Sequence, residues 1–171
     1  MVDIFLMNMS KVESICSAPK AREMFIWNRE RAEECANRIL ASFADEMDLE
    51  PEELALDDGY ACLAVNRTDV LHLRLAETEP ALDLLMELVP LPVGAERLSW
   101  CEDMLQGNVF FTGTGGSTLG LDRRQGLATL NLRIFLPGLT PESFRDRLEL
   151  FLGTVEFWRE RLTGASPGML N

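Results

Sequence analysis

The sequence predicts an α+β domain on an antiparallel sheet, in the order α-β-β-(β or α)-α-β-β-α. Three observations predict it. Long segments near both ends carry apolar residues at helical spacing. Between them lie two pairs of strand-like runs, each pair joined by a short polar turn. A further amphipathic helix separates the pairs. The 171 residues fit one compact domain, which at this size buries roughly 70% of its unfolded surface and needs no disulfide or metal staple.

Residues 1–27 are apolar in patches, Ile4 to Met9 and Met24 to Trp27, and are broken by Pro19. Three readings stay open: an additional helix, an interaction arm or an unstructured lead. This N-terminus lacks the basic region and the apolar length of a signal peptide, and no stretch approaches the ~18 apolar residues of a membrane span. Asn28 then offers an N-cap. Ala32, Cys35, Ala36, Ile39, Leu40, Phe43 and Met47 follow on one helical face. Eight acids and no bases fall within residues 45–58. They lack the spacing of a calcium loop and read as a solvated helix end and loop.

Asp58-Gly59 reads as a turn into two short strands, 60–65 and 70–75, joined through Asn66 to Asp69. In the second, Leu71, Leu73 and Leu75 alternate with His72 and Arg74, the pattern of a half-buried antiparallel strand. Residues 80–89 are ambiguous. Leu82, Leu85 and Leu88 would share a helix face, while Leu82, Leu84, Met86 and Leu88 alternate as a strand would, and local propensity favours helix.

Residues 95–107 predict a short helix with two apolar stripes, Leu98, Cys101 and Leu105 on one, Trp100 and Met104 on the other. One stripe suffices to sit on a sheet, so two ask for a second surface, a partner subunit. Strand-like runs at 117–122 and 127–135 follow the glycine cluster Gly113 to Gly116. Thr140 and Pro141 open a last helix carrying Phe144, Leu148, Phe151, Val155, Trp158 and Leu162, which ends near Gly164. The expected boundaries are an N-terminal extension (1–27), one α+β domain (28–164) and a tail (165–171).

The chemistry is sparse. Twenty-eight acids against 16 bases give a net charge of −12, which argues against nucleic-acid binding and against docking on anionic membrane. Cys16, Cys35, Cys62 and Cys101 form no C-x-x-C pair and read as free thiols of a reducing cytosol. The single histidine, His72, has no nucleophile placed beside it by the sequence. The glycine cluster lacks the Gly-Lys-Ser/Thr of a phosphate loop. No catalytic residue, cofactor or metal is expected.

Taken in order, several stretches carry a resemblance. They are Leu56-Asp57-Asp58-Gly59-Tyr60-Ala61-Cys62-Leu63-Ala64-Val65, Leu88-Val89-Pro90-Leu91-Pro92, Met104-Leu105-Gln106-Gly107-Asn108, the run Gly113 to Asp122, and Val155-Glu156-Phe157-Trp158-Arg159. The pattern resembles the class I type III secretion chaperones, the Tir-chaperone type family, over roughly residues 29–162. It departs from that family in its N-terminal extension and in Gly107, where a helix-favouring residue would be usual.

The resemblance implies the order α-β-β-β-α-β-β-α, with residues 81–89 as the third strand. It also implies a cytoplasmic, non-enzymatic homodimer that holds an extended segment near the N-terminus of a secreted effector and delivers it to the export apparatus, the apparatus ATPase being a further partner. On that reading Leu40, Phe43, Met47, Leu73, Leu84 and Met86 are the client-binding candidates, and Leu98, Trp100, Cys101, Met104 and Leu105 the dimer-interface candidates. The acid excess would keep such a dimer soluble while it exposes apolar surface. Two other readings are a related α+β interaction domain without a secretion role and a small enzyme using His72.

Overall fold

The computed structural model describes residues 28–47, 49–65 and 69–164. The N-terminal 27 residues with Cys16, Asp48, residues 66–68, where the sequence predicts a turn, and the tail from 165 lie outside the described residues. Five strands form one antiparallel sheet in the order β1-β2-β3-β5-β4: β1 Tyr60–Val65, β2 Asp69–Leu75, β3 Ala81–Pro90, β4 Thr118–Asp122 and β5 Leu127–Phe135. Helices α1 Arg29–Glu46 and α4 Pro141–Thr163 cover one face. The four-residue α2 Pro51–Leu54 follows α1, and α3 Ala95–Asn108 packs beside β4.

The ambiguous third segment is a strand. Its neighbours decide it: β3 is paired on both sides, with Leu73, Leu84 and Leu132 in one cross-strand row and Leu71, Met86, Leu130 and Leu119 in the next. Period-two spacing buries Leu82, Leu84, Met86 and Leu88 together under the helices, more apolar surface than a lone helical stripe would bury. Alpha1 closes this layer with Ile39, Leu40 and Phe43, and α4 with Phe144, Phe151 and Trp158. The Phe43 and Phe144 rings meet edge to face, centroids 5.5 Å apart.

The helix ends follow the sequence signals. Asn28 Oδ1 accepts from Arg31 N at 3.0 Å, and Thr140 and Ser143 form a reciprocal capping box ahead of α4, whose C-cap is Gly164 at φ 72°. Within the acidic run, Leu54 and Leu56 turn inward while Asp57 and Asp58 face water. Asn37 Oδ1 accepts from Leu56 N at 2.8 Å and ties the segment back to α1.

A register irregularity in β3 between Glu87 and Pro90 lies where β2 no longer pairs with β3. Arg159 of α4 reaches it, donating from Nη2 to Glu87 O at 2.6 Å and from Nε to Leu88 O at 3.1 Å, with Nη1 on Asp69 Oδ2 at 2.6 Å. One guanidinium thus stands in for the N–H groups of a missing strand. Arg159→Ala is expected to lower the unfolding free energy by about 2 kcal/mol, because charge-assisted hydrogen bonds are lost and two carbonyls are left short of a donor. Urea denaturation reads this directly. Arg159→Lys should recover less than half of the loss, since an ammonium lacks the fork that spans two carbonyls.

Candidate functional site

The face of the sheet opposite the helices is open. Its cross-strand rows are Tyr60–Arg74–Asp83–Arg133 and Cys62–His72–Leu85–Asn131–Thr118. All of these but Cys62, with Glu87, Asp122 and Thr129, line a shallow groove of about 600 Å3. At one end Asp83 accepts from Arg133 at 2.6 and 2.9 Å and from Arg74 at 3.3 Å, and Arg133 also donates to Glu79. The Asp83 hydrogen bonds, helped by Glu79, push the Arg133 guanidinium further above its ordinary pKa. At the other end the backbone N–H groups of Gln125 and Arg124 hold the Asp122 carboxyl below the usual carboxylate range, so it stays ionised at neutral pH.

His72 uses Nδ1 to meet the Tyr60 hydroxyl at 2.5 Å. Cys62 stands directly across from it. The groove's charges are spent largely on one another, and the described residues hold no cluster of His, Cys, Asp or Glu able to bind a metal ion.

Strand β1 forms one border of this face and is an edge of the sheet. Leu75 N donates to Gly59 O at 2.7 Å. With the Ala61↔Leu73 and Cys62↔His72 register, this turns the backbone of Cys62 and Ala64 away from β2. Tyr60 also turns that way, and its N–H and C=O are taken by Asp57 at 3.0 and 2.9 Å. From Tyr60 to Val65 the strand has no charge and no proline, the devices that normally guard an edge.

A second surface runs along α3. Leu98 is 64% exposed and Leu105 67% exposed, and Val109 continues their stripe into a 3-10 turn over Val109–Phe111. There Phe110 and Phe111 adopt left-handed backbone, φ 52° and 56°, and Phe110 is 89% exposed. Such a conformation costs a non-glycine residue roughly 1–2 kcal/mol. The turn reverses the chain, bringing Gly113 N to 3.3 Å from Gly107 O and Gly113 O to 2.8 Å from Trp158 Nε1. It also leaves Phe110 and Phe111 exposed beyond the end of the helix whose outward stripe carries Leu98 and Leu105.

Of the sequence-derived client candidates, Leu40, Phe43, Leu73, Leu84 and Met86 are core residues, buried between sheet and helices, and as packed they offer a client no access. The apolar period that marked them is the period of any core face. Met47, 56% exposed at the end of α1, is the exception. Of the interface candidates, Leu98 and Leu105 are exposed, Trp100 and Cys101 are half-buried, and Met104, 4% exposed, belongs to the core. The two stripes therefore divide the work, with Met104 turned inward and Leu98 and Leu105 outward. Sequence reading missed Phe110 and Phe111, which no helical period includes, and the open groove, whose polar members look like ordinary surface residues.

Residues 38–159 match the sequence profile of the Tir chaperone protein (CesT) family. The fold is similar to a chain in the crystal structure of the ExsC–ExsE complex, at 27% identity and a TM-score of 0.63, covering 74% of this chain and 92% of that one. It is also similar to a chain of the HopA1–SchA chaperone–effector complex, at 19% identity and TM-score 0.61, covering 76% and 97%. A third similar structure is the Yersinia pestis type III secretion chaperone SycH in complex with a stable fragment of YscM2, at 19% identity and TM-score 0.56, covering 71% and 98%. No curated protein sequence matches the chain.

Proposed function

The chain belongs to the Tir chaperone protein (CesT) family, and on that premise we propose that it is a type III secretion chaperone. As a homodimer in the bacterial cytoplasm it binds a segment near the N-terminus of a secreted effector and holds it extended for export, without catalysis. The single observation that carries this reading is the unguarded β1 edge bordering an open groove. An extended client adds a strand there, its backbone pairing with Cys62 and Ala64 and its alternate side chains lying on the groove. Met47 is a further client contact. The HopA1–SchA and SycH–YscM2 complexes each pair a chain of this fold with another protein, which supports a protein segment as the partner.

The dimer forms through the Leu98, Leu105, Phe110 and Phe111 patch, and the ATPase of the secretion apparatus is a second partner, reached once the client is loaded. A disordered client gives up chain entropy on binding, so apolar contact must offset it, and a negative heat-capacity change is expected in calorimetry. The client is identified by capture from the native bacterium. Photocrosslinking then locates it. A crosslinking residue at Ala64 should attach to the captured effector's N-terminal segment, whereas one at Glu34, on the outer surface of α1, should not. Crosslinks from Glu34 with none from Ala64 would refute the β1 placement.

A further inference from the structure

Strand β1 can take a second copy of itself as its neighbour. Cys62 and Ala64 turn their backbone N–H and C=O groups outward, while those of Tyr60 are already held by Asp57. An antiparallel neighbour that satisfies both open residues must place a hydrogen-bonded pair opposite each. Another β1 does this in a single register. Cys62 then stands opposite Ala64 of the other copy, Ala64 opposite its Cys62, and Leu63 opposite Leu63 on the twofold axis. Four backbone hydrogen bonds form, and this closed symmetry leaves neither Cys62 nor Ala64 with an open group. The side chains agree with the register. On the open face Cys62 meets only an alanine methyl. On the helix-covered face the half-buried Leu63 side chains form a non-hydrogen-bonded pair, the spacing at which cross-strand side chains lie closest. No residue from Tyr60 to Val65 is charged, so nothing on either strand repels the other.

We infer that two copies of this chain, in the absence of a client, pair β1 to β1 about Leu63, weakly and reversibly. Two short strands meeting edge to edge bury far less than the ~1,200 Å2 of a stable interface. The four-residue α2 packs beside β1, and Glu50 at its N-cap and Glu52 within it are exposed. Each chain, of net charge −12, therefore brings carboxylates toward the other, and added salt should tighten the contact by screening them. The dissociation constant should lie on the order of 0.1–1 mM, above the micromolar range in which the α3 surface acts. In the reading given above the client uses this same edge, so the two occupants exclude one another. A client segment that brings bases to the acidic flank meets attraction where a second copy meets repulsion, and displaces it. The exclusion rests on the client reading. The pairing of copies does not.

The test is disulfide trapping without client, in oxidised glutathione, of the unsubstituted chain, the Cys62→Ala/Ala64→Cys variant and their equal mixture. In the inferred register the variant's thiol at position 64 faces Cys62 of the unsubstituted chain at a Cα separation of about 5.5 Å, within disulfide reach. Either protein alone sets its thiol opposite an alanine, and its nearest like thiol lies about 8 Å away, beyond reach. The mixture should therefore yield about tenfold more covalent dimer than either protein alone, the other cysteines being common to all three samples. The yield should fall on dilution and rise with salt. Hydrogen exchange on the unsubstituted chain gives a second reading. The Cys62 and Ala64 amides should exchange more slowly as protein concentration rises, with β3 unchanged. Equal yields in the three samples, or exchange at these amides that ignores concentration, would overturn the inference and leave the client reading untouched. If the mixture crosslinks as strongly with the captured effector segment bound, the pairing of copies stands and the placement of the client on β1 fails.

Discussion

Gly107→Ala is expected to lower the unfolding free energy by about 3 kcal/mol, the upper end of overpacking penalties, although helix propensity alone predicts a gain of about 1 kcal/mol. A Cβ at this position would stand 2.3 Å from Trp158 Cζ2, 2.6 Å from Cη2 and 3.1 Å from Leu119 Cδ1. The indole cannot retreat. It is buried, and its Nε1 donates to Gly113 O at 2.8 Å. Gly107 is thus the point where α4's largest side chain lies against the backbone of α3, and its departure from the residue expected there follows from that approach. Trp158→Ala alone should cost about 3–5 kcal/mol through the cavity it leaves. In that background Gly107→Ala should cost nothing further, a coupling that urea denaturation of the four proteins measures. A neutral or stabilising Gly107→Ala in the unsubstituted chain would show that the two helices do not meet in this way.

Leu98→Asp/Leu105→Asp should weaken dimerisation by about a thousandfold or more, since each leucine contributes roughly 1.5–3 kcal/mol on burial and each new carboxylate resists desolvation. Light scattering across micromolar concentrations should then report monomers that stay folded. Trp100→Asp/Met104→Glu should instead unfold the chain, because Met104 lies in the core. Phe110→Asn separates strain from contact: asparagine tolerates left-handed backbone, so the monomer should gain stability while the dimer weakens. Persistence of the dimer in Leu98→Asp/Leu105→Asp would move the interface elsewhere.

The elements were largely legible because each carries its own period and its own caps. Asn28, Thr140 with Pro141, and Gly164 mark helix ends at the places where the backbone uses them. Beta3 was not legible from its own residues, since Ala81 to Val89 favour helix locally. Pairing with β2 and β5 overrides that preference, and only the family resemblance anticipated it. The 3-10 turn at Val109 to Phe111 left no trace in periodicity. Its cause is tertiary, the reversal that delivers Gly113 O to Trp158. Arg159 reads as one more surface base, and its role depends on a gap in the sheet that no local pattern announces.

The site was harder to read than the fold. Apolar period identifies a buried face, and in Leu40, Phe43, Leu73, Leu84 and Met86 that face is turned toward the protein's own interior. On the proposed reading, surface for another chain is marked by missing protection instead. Beta1 has neither charge nor proline on its edge, and Phe110 and Phe111 hold a strained turn with their rings exposed. Both signals are written in the sequence, but each becomes visible only once the sheet order and the backbone angles are known. The acidic segment after α1 is clearer for the same reason. Leu54 and Leu56 anchor it, and Asp45, Glu46, Glu50, Glu52, Asp57 and Asp58 are exposed beside a fold that leaves apolar surface uncovered.

The central claim is that this protein holds one segment of another chain as a dimer. Light scattering on the purified complex with the captured effector's N-terminal segment tests it most directly. The account predicts a mass of two 19.2 kDa chains plus one client segment, and loss of the client from the Ala64→Pro variant, in which an outward N–H of β1 is removed. A monomeric chain, or a dimer that binds no such segment at any concentration, would contradict it.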